Sequence, residues 1–511
     1  MRKIIKFLFS RLGVSAIIVF FEFALVFLFM VKLYTYSGYF LALLLFNQIS
    51  SLIAVIIGDE NPEYKLTWMG VIVFVPFLGT VLYLLFGKSK MSKREIKRLA
   101  GVREKIKEHV LGQGIEDLKS RDALAAGKAT AILGTDPVSE VFSNTCARYY
   151  TDGKDMFSDM LKDIEGAERY IFLEYFIIDR GVMWDEMLSR LRSKAEGGVD
   201  VRIMYDDMGC VNTLAANFKQ ELEKYGIKCV RFAKISADLR NMRRNNNRDH
   251  RKLCIVDGRA AYTGGINIAD EYIGKKERFG VWKDGGVRLS GDAVAGTVRL
   301  FLELWMLAGG TRDSAEIYLE EKNPCQEDGG YYLPFGSGPY PMYKNQSGKR
   351  AILDIVNQAK RYVYIMTPYL IIDYDLTEAL CGAVLRGVDV KIVTPGIPDK
   401  KIVKVMTKSS YHRLIEDGVE IYEYSPGFLH AKSIISDGQY GIVGTINMDY
   451  RSLVHHFEDA VWMYGSPVIS DIHLDFSKTL SVSQRIDART AELGFFEKII
   501  RCGIRLFAPL F

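Results

Sequence analysis

Cysteine is sparse in this chain. Its seven copies, at 146, 210, 229, 254, 325, 381 and 502, are odd in number and form no CxxC pair. That spacing offers neither a disulfide framework nor a zinc site, and it fits reduced thiols in a cytosol-facing domain. Carboxylates clustered as a two-metal centre requires are also missing, so no metal and no other cofactor is expected. Excess charge of one sign is small: 67 Lys and Arg against 62 Asp and Glu leave a net +5. So mild a balance argues against a nucleic-acid partner. Histidine is scarcer still, with seven in 511 residues, which gives weight to where the histidines fall.

Apolar residues are abundant (49%), and the excess is concentrated near the N-terminus. Stretches 12–31, 38–57 and 68–86 each have about the 20 residues needed to cross ~30 Å of hydrocarbon. Glu22 is the one charge in the first, and Pro76 falls in the third. Basic residues flank the region on both sides: Arg2, Lys3, Lys6 and Arg11 before it, and nine Lys or Arg against two Glu from Lys88 to Lys107 after it. Such clusters mark the cytoplasmic surface. Three crossings place the two ends on opposite sides, so one basic signal loses or one stretch does not cross. The larger cluster favours a cytoplasmic catalytic portion. Residues 1–90 are thus expected to be a transmembrane region and 91–130 a basic juxtamembrane linker.

Beyond it the chain repeats itself. Ala167–Asp179 resembles Ala359–Asp373, and Gly-Val-Asp-Val-Arg-Ile (198–203) is echoed by Gly-Val-Asp-Val-Lys-Ile (387–392). Short β-branched runs alternate with amphipathic stretches such as 184–195 and 375–386, the pattern of α/β units on a largely buried sheet. Two tandem domains are expected, at 131–325 and 326–511. Each half carries His-x-Lys-x4-Asp, as His250, Lys252, Asp257 and as His430, Lys432, Asp437, followed by Asn267 and Asn447.

These residue types fit displacement at a phosphodiester. An imidazole can attack phosphorus and a second can serve as acid and base. Histidine and lysine two apart on a strand project to one face, where the ammonium can hold phosphate oxygens. Asn267 and Asn447 can add amide hydrogen bonds to the same oxygens. Asp257 and Asp437 complete the repeated motif but begin turns, which suits a scaffold role better than proton transfer. A reactive imidazole also needs a carboxylate on its other nitrogen. Asp284 and Glu458, 34 and 28 residues after their respective histidines, are the candidates. His455 and His456 stand close enough in sequence to compete for Glu458.

The halves differ in one respect. Gly226 lies 24 residues before His250, but Gly418 only 12 before His430. The longer segment holds Arg240, Arg243, Arg244, Arg248 and Arg251, either an ordinary charged loop or a guanidinium-rich lip that gathers phosphates. A C-terminal run from Phe495 to Phe507 mixes aromatic and basic residues, as either a packed helix or an interfacial element would.

On the duplicated histidine–lysine–aspartate motif the chain resembles the phospholipase D superfamily. Asn61–Gly70, Val75–Gly87, Glu174-Tyr-Phe-Ile, Ser337-Gly-Pro, Gly444–Ser452 and Arg505–Phe511 are similar to bacterial cardiolipin synthases of that type. The resemblance implies an α/β fold with two phospholipase D-like αβα domains forming one pseudo-twofold active site behind N-terminal transmembrane helices. It implies transfer of a phosphatidyl group between two phosphatidylglycerol molecules, giving cardiolipin and glycerol, without metal, at a multi-pass position in the bacterial cell membrane. It also implies a phosphohistidine intermediate, with His250 as nucleophile and His430 as acid and base, although two near-equivalent half-sites do not fix which histidine attacks. Hydrolysis, with water as acceptor, or phosphatidyl transfer to another acceptor is the alternative outcome of the same chemistry. Departures from the family pattern are the extra stretch 12–31, His456 where asparagine is common, and Gly-Thr at 444–445 in place of Gly-Ser.

Overall fold

The computed structural model describes residues 37–58, 60–87, 93–110, 112–234, 246–311, 316–319, 328–340, 342–343, 346–487 and 503. The expected crossing at 12–31, Arg240, Arg243, Arg244 and nearly all of the 495–507 run lie outside them. The described residues fall into two compact units, those up to Gly87 together with Gly503 in one and those within Lys90–Ile235 and Arg244–Arg501 in the other.

In the first unit, helix α1 (Ser37–Ile56) is the one helix among the described residues long and apolar enough to cross a membrane. Helix α2 (Pro62–Phe74) starts where Asn61 accepts a hydrogen bond from the Glu63 amide (2.9 Å) and Pro62 supplies a pre-set φ. The stretch 68–86, expected as one span, is instead broken. Pro76 has no N–H to continue the ladder and disfavours helical geometry at Val75, so α2 ends and α3 (Pro76–Leu82) begins in a new direction. A π-helical turn, Tyr83–Gly87, completes this unit's described part.

The larger unit holds nineteen strands among its described residues. In the first half these are β1 (Thr145–Tyr150), β2 (Tyr170–Tyr175), β3 (Asp200–Asp206), β4 (Lys228–Phe232), β5 (Lys252–Val256), β6 (Ala260–Gly264), β7 (Val281–Lys283) and β8 (Gly286–Gly291). The second half has β9 (Tyr331–Ser337), β10 (Tyr362–Met366), β11 (Leu370–Ile371), β12 (Asp389–Pro395), β13 (Glu420–Tyr424), β14 (Gly427–Leu429), β15 (Ser433–Ser436), β16 (Tyr440–Gly444), β17 (Met448–Asp449), β18 (Glu458–Tyr464) and β19 (Ser483–Ile486). One sheet orders β1-β8-β6-β5-β2-β3-β4 and the other β19-β13-β12-β10-β15-β16-β18-β9. The run β8-β6-β5-β2-β3-β4 matches β18-β16-β15-β10-β12-β13 strand for strand, so the duplicated segments occupy equivalent places. Each sheet mixes parallel pairs (β2 with β3, β10 with β12) and antiparallel ones (β2 with β5, β10 with β15).

Strands buried on both faces explain the near-continuous apolar runs. Helices Gly153–Glu165 and Val182–Glu196 cover one face of the first sheet through Met160, Ile164, Met187 and Leu191. Helices Ser347–Gln358 and Tyr374–Leu385 do the same for the second through Ile352, Ile355 and Leu380. A third cluster joins the repeats: Leu253, Ile255 and Val287 of the first sheet share it with Ile435, Val443 and Val461 of the second, and with the helix Val294–Ala308.

Residues 93–133, most of which were expected to be a linker, form three helices of this unit: Lys93–Lys107, Gln113–Arg121 and Ala123–Leu133. Leu99, Val102 and Ile106 make a stripe at helical spacing that enters the shared core, while Leu118, Ala125, Ala129 and Ile132 pack on the second sheet. The basic run is therefore only one face of a packed helix.

Candidate active site

The two motifs occupy the same position on equivalent strands. Lys252 opens β5, and Lys432 immediately precedes β15. All four basic side chains are buried: His250 7% exposed, His430 8%, Lys252 1% and Lys432 4%. Each lysine ammonium donates to the carbonyl of its own histidine, Lys252 Nζ at 2.6 Å, and Lys432 in the same way. The half-sites sense each other: Lys252 lies near enough to His430 to bear on its protonation, and Lys432 feels Glu458 and Lys252.

The orienting carboxylates are exchanged between repeats. His250 Nδ1 lies 2.9 Å from Glu458 Oε2, and His430 Nδ1 lies 2.7 Å from Asp284 Oδ2. The sequence expectation had paired each acid with the histidine of its own repeat, and the structure corrects it. Two short strand contacts explain the exchange. β7 runs parallel to β14, with Lys283 opposite Leu429, so Asp284 and His430 emerge side by side. A parallel bridge between Asp249 and Phe457 likewise delivers His250 beside Glu458. Backbone bonds fix both registers, His250 N–H to the Phe457 carbonyl (2.8 Å) and His430 N–H to the Lys283 carbonyl (2.6 Å).

The pockets are tight. A Cβ on Gly265 would stand 2.0 Å from Asp284 Oδ1 and 2.8 Å from the His430 carbonyl oxygen, so only glycine fits there. The equivalent residue of the second repeat is Thr445. Its hydroxyl donates to Glu458 Oε2 (2.5 Å) and accepts the Asp459 amide (3.0 Å). Aromatic rings wall the imidazoles: Phe176 meets His250 edge-on at 5.0 Å, and Tyr272, Trp282 and Phe428 surround His430 at 5.6–5.7 Å. Sequence reasoning missed these rings. Their signal was present, since all four occur within eight residues of an expected strand end or site residue.

Burial governs protonation. Loss of water pulls His250 down to about 3 and His430 to about 4, opposed in each case by the neighbouring carboxylate. Burial alone would raise Glu458 and Asp284, but the paired imidazole and its hydrogen bond hold both below the ordinary carboxylate range. The direction that governs the pairs is a neutral imidazole against a charged acid. Nδ1–H then faces the carboxylate and the Nε2 lone pair is free. Burial also lowers Lys252 to about 8 and Lys432 to about 7.

Other expected residues fall elsewhere. Asp257 caps the start of β2, accepting the amides of Glu168 (2.8 Å), Arg169 (2.9 Å) and Tyr170 (2.8 Å). Asp437 repeats this with Lys360, Arg361 and Tyr362 at 2.9–3.0 Å. Both have left-handed backbones (φ 52° and 58°) in turns at the ends of β5 and β15 remote from the histidines. Both acids hold backbone and make no hydrogen bond to either histidine, the scaffold role that their turn positions suit, although they belong to the repeated motif. Asn267 is spent structurally: its Oδ1 accepts the Ile177 amide (3.0 Å) and its Nδ2 donates to Tyr272 Oη (2.7 Å). Asn447 is buried with no described residue donating to its Oδ1. Of the arginine-rich segment, Arg251 is buried against the Leu300 carbonyl (2.9 Å) and Tyr343 Oη (2.7 Å), and Arg248 donates to the Ala233 carbonyl (2.8 Å). Neither belongs to a surface lip. His456 does reach Glu458, with Nδ1 3.7 Å from Oε1. His250, His456 and Glu458 are the one group of three among the described residues whose donor atoms could surround a metal ion.

Two matched αβα halves that exchange acids around paired His-Lys sites define a phospholipase D-like enzyme, and known proteins agree. The family described as "Cardiolipin synthase, PLD-like domain" matches residues 160–283 and 352–480, and "Phospholipase_D-nuclease N-terminal" matches 49–88. The chain is 32% identical over 467 residues to a cardiolipin synthase of Alkalihalophilus pseudofirmus, covering 90% of this chain and 91% of that one. A cardiolipin synthase of Geobacillus kaustophilus is 33% identical over 466 residues, with the same coverage. Among solved structures, phosphatidylserine synthase of Haemophilus influenzae Rd KW20 shares the fold (TM-score 0.57, 12% identity) across 75% of this chain and 100% of that one. The chain belongs to the bacterial cardiolipin synthases of the phospholipase D superfamily. Its activity is that of a phosphatidyltransferase of phospholipid biosynthesis, and it is associated with membrane.

Proposed function

We propose that the paired site transfers the phosphatidyl group of one phosphatidylglycerol to the terminal glycerol hydroxyl of a second, through a phosphohistidine. The observation that carries this is the exchange of acids: each imidazole is aimed by the other repeat, so neither half works alone. His250 Nε2 attacks phosphorus, the P–O bond to glycerol breaks, and His430 gives the departing alkoxide its proton. The second phosphatidylglycerol then yields its hydroxyl proton to His430, its oxygen attacks phosphorus, and the P–N bond breaks to release cardiolipin and restore His250. Lys252, Lys432 and Asn447 hold the non-bridging oxygens as charge shifts during displacement. His430 must carry a proton in the first step, and burial keeps it neutral in the free protein. The phosphodiester anion supplies the negative charge that raises it on binding. Glu458 and Asp284 hold the imidazoles in the reactive tautomer. The catalytic unit works at the cytoplasmic face of the cell membrane on lipid, with no nucleic-acid substrate.

Incubation of the purified protein with labelled phosphatidylglycerol in mixed micelles tests this. Equal amounts of cardiolipin and glycerol are expected. Phosphatidic acid as the main product would instead make water the acceptor.

A further inference from the structure

We infer that residues 62–87 form a re-entrant hairpin whose tip reaches the middle of the bilayer and whose two ends leave on the same face. Several contacts run in opposite directions along the two limbs. Tyr64 Oη donates to the Phe86 carbonyl (3.3 Å), the Trp68 and Tyr83 rings lie 5.5 Å apart, and a Cβ on Gly79 would stand 2.9 Å from Ile72 Cα. Residues pair as 64 with 86, 68 with 83 and 72 with 79, which is a chain folded back on itself at Val75–Pro76. Gly79 permits this closeness, because any side chain there would meet the α2 backbone.

Helix α1 sets the depth. Its 20 residues span about 30 Å, whereas the 13 of α2 span about 20 Å, too short to cross. Lys65 Nζ donates to the Ile56 carbonyl (3.2 Å), so the mouth of the hairpin lies at the end of α1. The tip lies at the middle of α1. Gln48 Nε2 donates to the carbonyls of Ile72 (3.3 Å) and Val73 (3.2 Å), and Asn47 Nδ2 to that of Pro76 (3.4 Å) and to Thr80 Oγ1 (3.0 Å). Ser51 and Thr80 hydroxyls meet at 2.9 Å. Irregular backbone at membrane depth persists only where protein satisfies its polar groups, and these amides do that at the broken turn. Asn47, Gln48 and Ser51, the polar residues in the middle of α1, serve the hairpin.

Lipid chains are the occupant of the outer surface. Leu41, Phe46, Ile49 and Ile53 of α1, with Phe74 and Phe77 at the tip, are exposed. No charged side chain lies in α1 or from Leu66 to Gly87. A hairpin removes the conflict between the basic flanks. If 12–31 crosses, as its sequence suggests, one further crossing by α1 returns both Arg2–Arg11 and Lys88–Lys107 to one face.

Sidedness is read by cysteine labelling in the full-length chain in cells, independently of cardiolipin formation, so failure of the catalytic reading leaves the inference standing. Glu60→Cys, Lys97→Cys and Tyr39→Cys are treated with an impermeant maleimide before and after permeabilisation, with the unsubstituted chain as background. Glu60→Cys and Lys97→Cys should both label at least tenfold more strongly after permeabilisation, and Tyr39→Cys equally in intact cells. Labelling of Glu60→Cys and Lys97→Cys from opposite sides would overturn the hairpin and restore a full crossing.

Discussion

Replacing Glu458 with glutamine separates the orienting role of this acid from its mere presence. Glu458 Oε2 receives both His250 Nδ1 (2.9 Å) and the Thr445 hydroxyl, at a fully buried position. Glutamine keeps the shape but removes the charge, and its amide can turn an N–H toward Nδ1. His250 then carries its proton on Nε2 and has no lone pair for phosphorus. Losing a charge-assisted hydrogen bond costs about 1.5–3 kcal/mol, roughly 10- to 150-fold in rate. A wrong tautomer adds to that, and the comparable change in a Ser-His-Asp triad costs ~10⁴ in kcat. A fall in kcat of roughly 10²- to 10⁴-fold is therefore expected in Glu458→Gln, with KM for phosphatidylglycerol changed less than about threefold. In the double variant with His250→Ala the two losses should not add, because the acid acts through that imidazole. Retention of more than about a fifth of wild-type kcat, with the fold intact by circular dichroism, would refute the orienting role.

Further outcomes follow from the same geometry. Burial lowers Lys432 to about 7 and Lys252 to about 8, so in the free protein their charge fades as pH rises through 7–8. A bound phosphate favours the charged ammonium, so KM should be flat below about pH 7 and climb above pH 8; a KM that falls over that range would contradict the assignment. Asp257→Ala and Asp437→Ala each abandon three backbone amides. Both should lose about 2–4 kcal/mol of stability in thermal unfolding, while the folded fraction keeps its kcat. Asn267→Ala should behave like those scaffold changes and lower Tm. Asn447→Ala should leave Tm within about 2 °C and reduce kcat/KM about 10-fold or more, so equal behaviour of the two variants would remove the proposed asymmetry.

Much of this site was legible because duplication leaves a mark that periodicity alone does not. Equal spacing around His250 and His430 required equivalent strands, and β5 and β15 are equivalent. Asp257 and Asp437 were readable as turn residues, since Asp-Gly follows each apolar run and needs a left-handed backbone. The exchange of Glu458 and Asp284 was not readable. It depends on β7 meeting β14 and on Asp249 meeting Phe457, contacts between segments about 145 and 208 residues apart that carry no local pattern. Arg251 looked like surface because guanidinium is usually exposed; buried carbonyls and Tyr343 make the exception. In the third apolar stretch Pro76 announced a break, but the fold-back rests on Gly79 and on amides of a different helix. The basic run at 93–107 hid an apolar stripe, which placed it in the core rather than in a linker.

The central claim is that imidazoles from the two repeats act on one phosphorus, with His250 forming the bond. Rapid quenching of the protein during turnover of labelled phosphatidylglycerol, then peptide mapping by mass spectrometry, tests it most directly. A phosphatidyl adduct on His250 is expected, abolished in His250→Ala and altered in its rate of formation or decay in His430→Ala. An adduct on His430, or full turnover in the His250→Ala protein, would contradict it.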